Sequence, residues 1–283
     1  MNDTLKPVTS PVLPVSGGHR YPTVLKMAAI AILGLVLLVP LGMVQAVLKE
    51  RLQRRDDAVR DVTSTWGSEQ VVVGPVLVVP YRYAHKTWKE QVVDGRSERV
   101  ETSETLPGRA FFLPSDFKAE GRLEPSRLHR GIYESVVYKG TVRLSGVFGR
   151  PSFEEWNVDP QQVLWDEAEI TLAVTDLRGA QESLQVKTGN TAVPLKPGSR
   201  LDGLATGVYA RIQGLSAQVD NLPFDIALTL NGSRSLRFAP IGANNEVQIS
   251  SPWPDPSFQG AFLPSQRDVR ADGFTARWHV SYY

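Results

Sequence analysis

The sequence predicts a mainly β protein: one N-terminal transmembrane helix followed by a large antiparallel β-sandwich-like domain. Three observations carry this reading. Met27 to Leu48 is an unbroken run without a charged residue. From Val71 onward, apolar residues recur at every second position in short segments. Turn-forming dipeptides fall between those segments.

As a helix, Met27 to Leu48 spans about 33 Å, enough for the roughly 30 Å hydrocarbon core of a bilayer. Met27, Ile30, Leu33, Val36, Leu37 and Leu41 are its candidate anchoring residues. Pro40 and Gly42 bend such a helix without forbidding a span. A cleaved signal peptide is the competing reading. Lys26 would be its basic region, Met27 to Val39 its apolar core, and Val44-Gln45-Ala46 a cleavage site near Ala46. The long leader before Lys26 and the length of the apolar run favour a retained anchor. Orientation is not fixed by charge. Lys49, Arg51, Arg54, Arg55 and Arg60 follow the segment, against Arg20 and Lys26 before it, but the positive-inside rule does not govern long translocated domains.

The flanks complete the division. Residues 1–24, rich in Pro, Ser, Thr and Gly, read as a disordered tail. Residues 25–48 are the transmembrane helix. Residues 49–66 continue as a juxtamembrane helix, with Leu48, Leu52, Val59 and Val62 near one face. Arg54 and Arg55 are within reach of lipid phosphates, or are part of a solvated face. Residues 67–283 form the β domain, as one unit or as two subdomains meeting near 194–204 at Pro194-Leu195-Lys196-Pro197-Gly198.

Within that domain, Val71 to Val79 is almost wholly apolar, bent at Gly74-Pro75, and fits a strand buried on both faces. Val142, Leu144 and Phe148 alternate with polar residues. So do Ala168, Ile170, Leu172 and Val174, then Val208, Ala210 and Ile212, then Phe224, Ile226, Leu228 and Leu230. Phe274, Ala276, Trp278, Val280 and Tyr282 close the series. Each set buries one face of a strand and wets the other. Asp94-Gly95, Lys139-Gly140, Asn231-Gly232 and Asp272-Gly273 are the turn signals. Asp159-Pro160-Gln161-Gln162 reads as one helical turn.

Composition narrows the function. There are 31 basic against 30 acidic residues and no cysteine. A nucleic-acid partner would need a basic surplus. Disulfides, thiolate metal sites and cysteine nucleophiles are excluded. His19, His85, His129 and His279 stand at no metal-ligand spacing, and no phosphate-binding or nucleophile-elbow motif occurs. No catalytic, cofactor or metal residue is assigned. The acids Glu154-Glu155 and Asp166-Glu167-Glu169 read as solubilising, and Trp156, Trp165, Trp253 and Trp278 as packing residues first and a glycan or peptide groove second. Phe-Leu-Pro-Ser occurs twice, from Phe112 and from Phe262, and is not a tandem repeat. Ser251 to Ser265 is stiffened by Pro252, Pro254 and Pro256, so it cannot be helical. Its Trp253, Phe258 and Phe262 are the candidate partner surface.

That segment, with Asp272-Gly273-Phe274-Thr275-Ala276-Arg277-Trp278, resembles the CreD family of bacterial inner-membrane proteins. Val73-Gly74-Pro75 with Pro80, Phe112-Leu113-Pro114, Arg130-Gly131-Ile132-Tyr133-Glu134-Ser135-Val136-Val137-Tyr138 and Asp176-Leu177-Arg178-Gly179 match in order, so the resemblance runs from about Leu25 to Tyr283. It implies a cell-envelope-integrity or colicin-tolerance role in the inner membrane, with the tail cytoplasmic and the β domain periplasmic. In the family further transmembrane helices follow, so this chain corresponds to the anchor and β domain alone. The resemblance brings no catalytic residues.

The functional expectation is therefore a non-catalytic, single-anchor envelope protein without cofactor. Its partners are the lipid bilayer and an envelope protein or membrane helix. The alternatives are a periplasmic glycan- or peptide-acting hydrolase, or a glycan- or lipid-binding module.

Overall fold

The computed structural model describes residues 21–93, 96–156, 158–179, 184–204 and 206–282. The expected tail up to residue 20, with His19, lies outside them, as does the expected Asp94-Gly95 turn. The chain divides into two compact units, the first ending at Asp56 and the second running from Asp57 to Tyr283.

One helix, α1, runs from Tyr21 to Trp66 with Pro40 inside it. Tyr21 to Val24, expected in the tail, belong to this helix. Pro22 sits in its first turn, where the missing N–H would have had no partner anyway. The apolar stretch of α1 has a mean hydropathy of 2.6, and none of it is buried against protein. Met27, Ile30, Leu33, Val36, Leu37 and Leu41 are all exposed. Toward Trp66 the pattern changes: Val59, Val62 and Trp66 are half-covered while the charged residues between them stay wet.

The second unit is a mainly β sandwich, as the alternation predicts. In chain order its strands are β1 (Gln70–Val93), β2 (Arg96–Phe112), β3 (Pro114–Arg130), β4 (Tyr133–Gly149), β5 (Glu169–Val174), β6 (Gln185–Thr188), β7 (Thr191–Pro194), β8 (Lys196–Pro197), β9 (Gly207–Arg211), β10 (Asn221–Ser233), β11 (Leu236–Phe238), β12 (Asn244–Ser251), β13 (Gln266–Arg270) and β14 (Gly273–Ser281). One sheet has the order β11-β1-β5-β9-β8, with β2 on β1. The other has the order β13-β14-β12-β3-β4-β10-β6-β7. Leu77, Ile170 and Leu172 of the first sheet meet Leu144, Phe148, Ile226 and Leu228 of the second in one buried cluster. The pairing is antiparallel except at β1–β11 and β12–β3, which are parallel.

Two of the expected turns are strand interior. Lys139-Gly140 lies within β4, paired to β10 at Asn231 and Leu230, and Asn231-Gly232 lies within β10. Here glycine serves close packing rather than chain reversal. A Cβ at Gly232 would run into the phenol of Tyr138, whose hydroxyl donates to the Ser235 carbonyl at 2.9 Å and so cannot swing away. The β3–β4 hairpin instead turns at Gly131-Ile132, with Gly131 at φ 59°. Between β13 and β14 the chain turns at Ala271-Asp272, one residue before the expected Asp272-Gly273, and Gly273 opens β14. Pro160-Gln161-Gln162 is the expected helical turn, capped by Asp159, whose side chain accepts from the Gln161 N–H at 2.9 Å.

Substituting Gly232→Ala is therefore expected to lower stability by about 1–3 kcal/mol, the usual cost of overpacking. A lower urea midpoint with unchanged slope, followed by tryptophan fluorescence on the full chain in detergent, is the check.

Candidate functional site

Two constructions stand out in the second unit: a polar clamp on the last turns of α1, and an apolar surface at the far end of the larger sheet.

The clamp is built where β1 leaves the helix. Trp66 donates from its indole nitrogen to the Tyr138 carbonyl at 3.2 Å. The Arg178 guanidinium donates to the Ser64 carbonyl and grips the Asp176 carboxylate, with Nη2 2.6 Å from Oδ2. Asp176 also accepts from the backbone N–H of Arg178 at 2.9 Å and of Ser68 at 3.4 Å. Gln70, fully buried, donates to the carbonyls of Asn231 at 2.6 Å and Asp176 at 3.1 Å, and accepts from the Asp176 N–H. Every polar atom of that Gln side chain is thus spent on backbone, as burial demands. The Arg178 hydrogen bonds hold the Asp176 carboxyl below its ordinary range, against the opposing effect of burial. Burial pushes the Tyr138 phenol up.

The apolar surface is built mostly from other strands, β11, β12 and β14. A cleft of about 570 Å³ is walled by Leu236, Phe238, Val247, Ile249, Trp278 and Phe262. A second, of about 620 Å³, is lined by Phe112-Leu113-Pro114-Ser115 and shares Pro240 with the first. Each copy of Phe-Leu-Pro-Ser therefore contributes to this surface. Leu263 is 70 % exposed and Leu113 54 %, with Phe262 and Tyr282 also open to solvent. No Asp, Glu or His lines either cleft.

The structure separates the three candidate partner residues. Phe262 lines the first cleft, meets Tyr282 edge-on with ring centres 6.5 Å apart, and accepts the Trp278 indole N–H on its carbonyl at 3.2 Å. Phe258 is half-buried, edge-on to Phe274 at 5.8 Å and Trp278 at 5.7 Å, so it pins the proline-rich segment to β14. Trp253 lines neither cleft. It lies toward the β3–β4 hairpin, 5.9 Å from the Arg127 guanidinium, with its indole N–H bonded to the Asp255 carbonyl. Sequence reading misses Leu236, Phe238 and Leu113. Nothing in the local pattern marks them, because the surface is assembled by strand pairing.

The other expectations resolve plainly. Trp156 and Trp165 pack on Phe153 at 5.4 and 5.7 Å, within a cluster that includes Tyr81 and Phe112. His85, His129 and His279 are exposed. Among the described residues no group of acids and histidines is arranged to hold a metal ion.

Compared with known proteins, residues 22–283 match the family model described as Inner membrane protein CreD. The chain is 28 % identical over 264 residues to the inner membrane protein CreD of Escherichia coli (strain K12), covering 93 % of this chain. It spans 56 % of the length of that relative.

The clamp makes a pH-dependent prediction. Because the Asp176 pKa is lowered in the fold, its contribution is fully present above the unfolded value of 3.8 and is lost as pH falls through the folded one. Asp176→Asn is expected to cost about 1–3 kcal/mol at neutral pH. The gap to the native chain should close in acid, which urea titrations at several pH values would show.

Proposed function

Because the chain belongs to the CreD family of inner membrane proteins, we propose that it is a non-catalytic cell-envelope-integrity protein. In this reading Met27 to Leu48 is retained in the inner membrane, with Met27, Ile30, Leu33, Val36, Leu37 and Leu41 against lipid. The tail is cytoplasmic and the β domain periplasmic. That domain works by contact with an envelope protein or membrane helix.

The observation that carries the proposal is the double cleft around Phe262, Trp278 and Tyr282. It offers apolar area in a concave form, suited to an apolar segment of a partner, and its charged lining residues are Arg150 and Arg237, with no Asp, Glu or His. Such surfaces are complementary to side chains or a helix face rather than to a reacting bond. A hydrolase would need two converging carboxylates or a nucleophile beside a base.

The test is genetic and biochemical. In cells that depend on this protein for survival of envelope stress, deletion of Met27 to Leu48 should abolish protection. Ala261→Arg, which places a charge on the cleft wall, should weaken it while leaving protein level unchanged. Alanine at His85, His129, His279, Glu154 or Glu155 should leave protection intact. A single such alanine that abolished protection in a folded chain would overturn the non-catalytic reading. For orientation, the absence of native cysteine allows Asn190→Cys to be labelled alone. Reaction with a membrane-impermeant maleimide after outer-membrane permeabilisation, without cell lysis, is the expected result.

A further inference from the structure

We propose that the tip of the β3–β4 hairpin is a second membrane contact, docking Ile132 and its basic flanks into the headgroup region of an anionic bilayer. The proposal rests on the retained-anchor reading above and goes beyond it.

The hairpin is longer than the sheet that holds it. On one side β12 covers β3 only as far as Arg122, and on the other β10 covers β4 only from Val137. Residues between these limits project, and the projection ends in the turn at Gly131-Ile132. Ile132 is 90 % exposed, more than any other large apolar side chain among the described residues. An isoleucine held at the end of a protruding turn is costly in water and useful at an interface.

Its flanks are of the right chemistry. From Arg122 to Lys139 there are four Arg or Lys residues against two Glu. Glu134 is shared by Arg127 at 2.8 Å and His129 at 3.5 Å, so the guanidinium is held beside the turn rather than free to fold back. Trp253 lies against Arg127 on the same projection, its ring half-buried. A Trp beside Arg is the pairing found where protein meets lipid headgroups.

The covalent chain supplies the reach. Arg130 is bonded to Asp61 at 2.6 Å, so the hairpin tip is fastened to the last turns of α1. Asp61 is thirteen residues after Leu48, which is about 20 Å as helix and at most about 47 Å fully extended. Membrane insertion of the anchor therefore keeps the tip within that reach of the headgroups, which raises its effective concentration there and lets a weak apolar-plus-basic contact suffice.

The test uses the full chain in liposomes of mixed phosphatidylglycerol and phosphatidylcholine. Single-cysteine variants Leu37→Cys, Ile132→Cys and Asn190→Cys each carry an environment-sensitive fluorophore. Leu37 reports the anchor. Asn190, in the β6–β7 turn, points away from the hairpin tip by strand register. We expect blue-shifted emission, and its loss on adding spin-labelled lipid, at 37 and 132 but not at 190. The loss at 132 should shrink in pure phosphatidylcholine. Quenching at 37 alone would overturn the hairpin contact and leave the anchor standing. No quenching at 37 would overturn both. Equal quenching at 132 and 190 would mean that the whole domain lies on the bilayer, which also overturns a contact made by this tip.

Discussion

The two sheets of the second unit are tied by one polar group: the buried Asp176 carboxylate held by the more exposed Arg178, with buried Gln70 bridging the Asp176 and Asn231 carbonyls. These groups come from the start of β1, the segment after β5 and the end of β10, which belong to both sheets. Through Arg178 and Ser64 the same group seizes the end of α1. An unpaired carboxylate or amide at this depth would cost more than either contact returns, so the members stand or fall together.

The apolar surface shows how a site can be spread across a sequence. Its walls come from β11, β12, β14, the proline-rich segment and the junction of β2 with β3. Antiparallel and parallel pairings bring these together at one end. Phe258 holds the proline-rich segment down, and the segment in turn presents Phe262 and Leu263. Pro252, Pro254 and Pro256 restrict the start of that segment, and the Trp278 indole N–H bonded to the Phe262 carbonyl holds its end.

Much of the fold is legible in the sequence because period-2 alternation reports burial directly. Ile170, Leu172, Phe224, Ile226 and Leu228 are inward as their spacing says. The apolar run from Met27 announces itself by composition alone. Turn reading fails at Lys139-Gly140 and Asn231-Gly232. Dipeptide chemistry cannot distinguish a glycine needed for chain reversal from one needed to admit a tyrosine ring, since the ring arrives from another strand. For the same reason Phe262 is identifiable as a surface aromatic, but its neighbours Leu236 and Phe238 are not. Sequence proximity groups Trp253 with Phe258 and Phe262, and strand geometry sends it to a different end.

The two parallel pairings have a consequence for assembly in time. β1 begins at Gln70, yet its partner β11 lies about 165 residues later, and β3 waits about 130 residues for β12. A chain emerging from its N-terminus therefore commits its anchor long before these strands find their mates. For that interval the covered part of β3, from Asp116 to Arg122, waits without β12 and its edge is unpaired. Such late closure favours slow folding and reliance on chaperones. It also makes the last strands, not the first, the event that completes the domain.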